Sequence, residues 1–238
     1  MGDLQNRELQ EEVNRKLDLL NENPNERVQM MNSGQRKLLD EVIESVTQHQ
    51  GRLFAVDAPG GTGKTFTIST LLDKLRKDGY IAVSTAFTGI AAILLPGGRT
   101  LHSRLKVPVG DSLTEDTILP ITGHKNSTRK LFEAADLLVI DEFTMTCKNI
   151  FLAIDRTLRD IRDNSKPFGG MTVLLSGDWR QTLPVIPRAN RPQVVDETLK
   201  GKTYIQLKQN LSVNLCKFFF FRASHGAALE PFRTVPLE

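Results

Sequence analysis

Ala58-Pro59-Gly60-Gly61-Thr62-Gly63-Lys64-Thr65 follows the apolar run Leu53-Phe54-Ala55-Val56 and leads into Phe66-Thr67-Ile68-Ser69-Thr70-Leu71-Leu72, which reads as a helix. Strand, glycine-rich turn, Lys-Thr, helix is the order that a phosphate-binding loop needs. The glycines let the backbone curl so that several N–H groups converge on one anion, and the helix start adds its positive dipole end. Lys64 is spaced to reach β- and γ-phosphates, and the Thr65 hydroxyl to join a Mg²⁺ shell. The strict motif begins with Gly, and this chain has Ala58 there. That change leaves the phosphate-facing glycines in place. Pro59, Gly60, Gly61, Thr62, Gly63, Lys64, Thr65 and Phe66 are the expected nucleotide contacts. A loop of this kind does not by itself choose a reaction, since kinases, GTPases, transporters and motor ATPases all use it.

Outward from the loop, strands and helices alternate. Tyr80 to Ser84, Leu137 to Ile140 and Met171 to Leu175 read as three more strands, each a continuous apolar run. Helices are expected from Asn32-Ser33 with Leu38, Leu39, Val42, Ile43 and Val46 on one face, over Gly89 to Leu95, from about Ser127 to Ala135, and around Ile150 to Ile161. Runs without polar alternation belong to strands covered on both faces, so the pattern predicts an α/β fold with a parallel sheet and helices on both sides. Residues 108–127, rich in Pro, Gly, Thr and Asp, read as a long loop. Leu9, Val13, Leu17 and Leu20 form one face of an N-terminal helix that stops near Asn23-Pro24.

Bulk properties narrow the classes. The chain has 238 residues, 39% hydrophobic, and no apolar run near the roughly 20 residues of a membrane helix. The start, Met1-Gly2-Asp3-Leu4-Gln5, lacks the regions of a secretory signal, and Cys147 and Cys216 make neither a disulfide framework nor a metal spacing. A reducing interior is the expected compartment. Four scattered histidines argue against zinc, and a net charge of +3 permits nucleic-acid contact without demanding it.

Two further stretches close strands. Asp141-Glu142 follows Ile140: an Asp at a buried strand end can hold Mg²⁺, and the adjacent Glu can take a proton from an attacking water. Alternation along the strand points the two side chains in different directions. Acidic residues at a strand end are otherwise common caps. Ser176-Gly177-Asp178-Trp179-Arg180-Gln181-Thr182-Leu183-Pro184-Val185 follows the fourth strand, where a Gln can sense a γ-phosphate or the attacking water. Kinases and small GTPases do not need this element.

Taken together, these stretches resemble the Pif family of superfamily-one DNA helicases, and most of all its Helitron-associated members. The resemblance runs over roughly residues 31–210. It is carried by Met31-Asn32-Ser33-Gly34-Gln35, the phosphate loop, Thr88 to Ala92 with Leu94 to Ser103, Asp141-Glu142 with Met145, Asp155 to Asp160, and Gly177 to Val185. It implies a RecA-like P-loop NTPase lobe, ATP and Mg²⁺ as cofactors, and single-stranded or duplex DNA as partner. It also implies 5′→3′ unwinding in repair, recombination and telomere maintenance, and a nuclear site, with mitochondria as the alternative. By resemblance Lys64, Glu142 and Gln181 are catalytic, Thr65 and Asp141 hold the metal, and Gln35 reads the adenine edge. Gln35 can equally be the capping partner of Asn32. Thr88 and His102 fall in stretches that, in the family, touch single-stranded DNA, although a His after Thr-Leu also reads as a helix-start or packing residue; Arg104 and Lys106 are expected either as further phosphate contacts or as solvated surface cations.

Three segments are expected: an N-terminal helical segment over 1–30, an ATPase lobe over 31–210 set by the resemblance, and an atypical tail over 211–238, without the second motor lobe, in which Phe218-Phe219-Phe220-Phe221 reads either as a buried strand or as part of an altered C-terminus. Where the family carries an Asn-Met-Arg sequence this chain reads Asn210-Leu211-Ser212, so the arginine that approaches the γ-phosphate is replaced by Ser212. Two expectations follow. One is a helicase of this family, represented by its first motor lobe. The other is a truncated or degenerate nucleotide-binding module without helicase activity.

Overall fold

The computed structural model describes residues 24–108, 113–114, 116–123, 126–178, 180–181 and 216–220. The first long helix starts from local chemistry at Asn32. Its side chain accepts from the Gln35 N–H while the Gln35 side chain accepts from the Asn32 N–H, a reciprocal cap that starts a long helix. This is α2 (Ser33–Thr47), and a short α1 (Pro24–Gln29) precedes it. The expected N-terminal helix over Leu4 to Leu20 lies outside the described residues.

Then follow β1 (Leu53–Asp57), α3 (Lys64–Lys77), β2 (Ala82–Ala86), α4 (Gly89–Leu94), β3 (Arg99–Thr100), α5 (Leu101–Leu105), α6 (Ser127–Ala134), β4 (Leu137–Asp141), α7 (Lys148–Ile161), β5 (Thr172–Gly177) and β6 (Cys216–Phe220). Single 3₁₀ turns sit at Phe143–Met145 and Pro167–Gly170. β2 begins two residues later than the sequence reading of Tyr80 to Ser84. The Tyr80 N–H still closes the end of α3 on the Leu75 carbonyl, and the Ile81 N–H goes to the Asp136 carboxylate. Neither residue has its N–H free for a strand ladder.

The strands lie in the order β3-β2-β4-β5-β1-β6, and every pair is parallel. Successive residues feed opposite faces. Leu53, Ala55, Leu138, Ile140, Val173 and Leu175 pack with Leu131, Phe132, Ile154, Leu158 and Phe168 on one side. Phe54, Val56, Leu137, Val139 and Leu174 pack with Leu38, Val42, Ile68, Leu71 and Leu72 on the other. Both faces are therefore covered, which is why the strands read as unbroken apolar runs. The expected α/β lobe with helices on both faces is what the chain forms. Parts of the 108–127 segment pack rather than dangle: Leu119 and Ile121 are buried in the first core, and the Leu119 N–H donates to Thr157 Oγ1 of α7.

β6 lies past residue 210, and its Phe219 joins the second core, 6.4 Å from the Phe54 ring. Register aligns the carboxyl ends: Asp57 pairs with Gly177, and Asp141 with Ser176. The segments after β1, β4 and β5 thus leave the sheet side by side, at the end where open α/β sheets bind ligands.

Candidate active site

The phosphate loop owes its shape to backbone chemistry. Gly61 and Gly63 have φ of +77° and +80°, a region costly for other residues. A Cβ on Gly63 would also lie 2.5 Å from Gln35 Nε2. Ala58 is fully buried and has no positive φ, so its methyl group fits where the strict motif has Gly. Its N–H donates to the Gly177 carbonyl and ties the loop to the end of β5. Inside the loop, the Thr62 hydroxyl donates to the Pro59 carbonyl at 2.7 Å, and Gln35 Nε2 donates to the Thr62 carbonyl at 3.0 Å.

A cleft of about 470 Å³ opens above the loop, lined by Pro59, Gly60, Gly61, Gly63, Lys64, Thr65, Phe66, Ala91, Leu94, Asp141, Glu142 and Gln181. Residues far apart in sequence meet there because three strands end together. Thr62 and Gln35 are not in the lining: both are buried and support the loop from behind. The cap geometry expected for Gln35 is present, and the same amide braces the phosphate loop.

Asp141 is 4% exposed, and its Oδ1 lies 3.7 Å from Lys64 Nζ. Burial pushes its carboxyl above the ordinary aspartate value, and the Lys64 ammonium pulls in the opposite direction. Its Oδ1 also accepts from the Glu142 N–H at 2.9 Å. Glu142 has φ of +55°, strained for a residue with a side chain, at the turn out of β4. Its Oε2 accepts two bonds from Thr88, from the hydroxyl at 2.5 Å and from the N–H at 3.2 Å. Gln181 is exposed at the cleft margin, its N–H bonded to the Asp178 carbonyl. Asp178 itself is buried and holds the Arg180 N–H through Oδ1 at 2.9 Å. Ser212 lies outside the described residues.

The Thr88 and His102 positions form a neighbouring surface rather than part of the cleft lining. Thr88 caps α4, its Oγ1 accepting from the Ala91 N–H. His102, in α5, meets the Phe87 ring edge-on at 5.5 Å. Burial lowers the His102 imidazole below its ordinary value and favours the neutral ring. Phe87 was not singled out from sequence; its signal is an aromatic residue directly between β2 and Thr88. Arg104 is 2% exposed and donates to the Gly97 carbonyl, so it braces the Pro96-Gly97-Gly98 turn instead of facing a surface. Lys106 is exposed. Asp155, from another motif stretch, is structural: it accepts the Phe168 N–H at 2.6 Å and pairs with Arg159 at 2.9 Å.

Comparison with known proteins bears on this geometry. A family model described as PIF1-like helicase matches residues 30–222. The chain is 34% identical over 135 residues to the ATP-dependent DNA helicase Pif1 of Psychrobacter sp. (strain PRwf-1), covering 57% of this chain and 20% of that protein. It is similar to unliganded Pif1 from Bacteroides sp., with a TM-score of 0.54, 31% identity, and coverage of 70% of this chain and 35% of that one. Bacteroides Pif1 in complex with ADP-AlF3 and ssDNA gives a TM-score of 0.51 and 31% identity, over 66% of this chain and 35% of that one. The chain spans 20% to 26% of the length of the first curated relatives it matches.

Proposed function

The chain belongs to the PIF1-like helicase family, and on that footing we propose that it is the first motor lobe of an ATP-dependent 5′→3′ DNA helicase. The observation that carries this reading is the single cleft shared by Lys64, Thr65, Asp141, Glu142 and Gln181. Lys64 and the loop N–H groups hold the phosphates of ATP. Thr65 and Asp141 suit magnesium: they are hard oxygen donors on one cleft, few enough that the ion keeps several waters. When bound, the ion neutralises charge on the phosphate oxygens. Glu142 accepts a proton from the attacking water while the water oxygen bonds the γ-phosphorus. The bond to the β–γ bridging oxygen then breaks, and ADP leaves with that electron pair. Gln181 orients the water or senses the γ-phosphate. Gln35 lies behind the loop, and its adenine contact would use the donor and acceptor capacity left after its two bonds.

Thr88 and His102 are the proposed contacts to single-stranded DNA. A relative captured with ADP-AlF3 and ssDNA supports both ligands. A neutral His102 beside Phe87 suits base stacking better than charge pairing. Roles in repair, recombination and telomere maintenance, and a nuclear location, accompany this reading.

Ser212 in the family's arginine position favours a second reading for the polypeptide by itself: nucleotide binding, slow hydrolysis at best and no unwinding. The test is ATP turnover by the purified chain with and without single-stranded DNA, beside a forked-duplex unwinding assay. DNA-stimulated turnover supports a working enzyme. Nucleotide binding without turnover supports the binding module, and robust unwinding excludes it.

A further inference from the structure

The two donors of Thr88 converge on one oxygen of Glu142. A threonine hydroxyl has one proton to give and lone pairs to receive with. Here the proton goes to Glu142 Oε2, and the Ala91 N–H takes up a lone pair. The Thr88 N–H is directed to the same carboxylate oxygen. A phosphodiester oxygen, like a carboxylate, only accepts. Thr88 therefore cannot serve both through its hydroxyl.

Thr88 also joins two sets of residues. Its chain neighbour Phe87 packs against His102, and Ile90 and Ile93 of the helix it caps are 79% and 83% exposed. Its hydroxyl reaches Glu142, which is part of the cleft lining. The Glu142 backbone is fixed by its own N–H bond to Asp141. Its side chain is held through Oε2 by Thr88.

We infer that Thr88 is a positioning residue for Glu142, a latch whose hydroxyl holds the carboxylate until a single-strand phosphate takes that donor. This rests on the proposed roles of Glu142 and Thr88 and extends them to regulation: DNA occupancy frees the residue that accepts the water's proton. Binding coupled in this way is reciprocal, so removing the carboxylate must also change DNA affinity.

A double-substitution cycle tests it without relying on turnover. Affinity of the 238-residue chain for a fluorescein-labelled oligo(dT) is measured by anisotropy for the unsubstituted chain, Glu142→Ala, Thr88→Val and the pair. Glu142→Ala is expected to tighten binding about tenfold, the scale of one charge-assisted hydrogen bond. In the Thr88→Val background the gain shrinks to twofold or less, and with Thr88→Ser it returns. A gain of equal size in every background means simple removal of a negative charge, and it overturns the latch. Val suits the extended backbone at position 88, and Thr88→Gly, tolerated at helix caps, replaces it where Val impairs folding. If no variant binds the oligonucleotide, the DNA reading of Thr88 fails and the latch fails with it. Turnover surviving Glu142→Gln would instead remove Glu142 as the base, an outcome the binding cycle does not share.

Discussion

The loop after β1 and the turn after β2 leave the same end of the sheet but are held by different means. The first is held at its main chain: two glycines at positive φ, an Ala58 N–H on the Gly177 carbonyl, and the Gln35 side-chain amide on the Thr62 carbonyl. The second shares one main-chain tie, the Phe87 N–H on the Asp141 carbonyl, but meets Glu142 and His102 through side chains, the Thr88 hydroxyl on the Glu142 carboxylate and the Phe87–His102 ring contact. Backbone anchoring yields a rigid receptor for a ligand of constant shape, the phosphate chain. Side-chain anchoring leaves partners that can be exchanged, which suits a region that must respond to a second ligand.

Substitutions separate the two. Glu142→Gln, on the exchangeable side, is expected to lower turnover by roughly 10²-fold or more while nucleotide stays bound; phosphate release and a fluorescent-nucleotide titration measure these separately. Lys64→Ala, on the rigid side, should weaken nucleotide binding about 10²-fold by loss of a charge-assisted phosphate contact, and the same titration reads it. It also removes the cation that opposes the upward push on Asp141.

Gly63→Ala should cost about 1–3 kcal/mol in urea unfolding, since the new Cβ adopts a strained φ and collides with Gln35 Nε2. Ala58→Gly should restore the strict motif yet destabilise by about 0.5–1 kcal/mol, with nucleotide affinity unchanged. A rise in affinity would mean that Ala58 is a defect of the loop. The smallest effect is expected at His102. Its imidazole is held below the ordinary value, so the unfolded chain binds the proton more readily. The associated stability is complete above the ordinary histidine range and declines as pH falls through it. His102→Phe should flatten that part of a melting-temperature profile.

The same division decides what was legible in the sequence. Leu53–Asp57, the loop and α3 are local: strand pattern, punctuation by glycine and helix start fall within one stretch. Asn32 and Gln35 announce their reciprocal cap at three residues' spacing. The gathering of Lys64, Asp141 and Gln181 was anticipated by the shared pattern of a motif after each strand. By contrast, β3 with two residues and α5 with five are too short for periodicity to register. Arg104 reads as a surface cation because its carbonyl partner, Gly97, is placed by a turn of the chain. The Thr88–Glu142 bond joins residues 54 apart and has no local signature. The run around Phe218 lacks alternation, so its place beside β1 could not be read from pattern alone.

That placement has a consequence for how the protein survives in solution. β6 lines β1 along its whole length, from Leu53 opposite Cys216 to Asp57 opposite Phe220. Without it, the strand that carries the phosphate loop would be a sheet margin, with a row of unsatisfied N–H and C=O groups open to templating by other chains. The Phe-rich segment carries the same hazard when unpaired, being short, apolar and free of Pro. β6 covers one side of β1 and is itself the margin strand of the described sheet, so interruption of this one pairing opens both strands and should show as precipitation and fibre-like assembly.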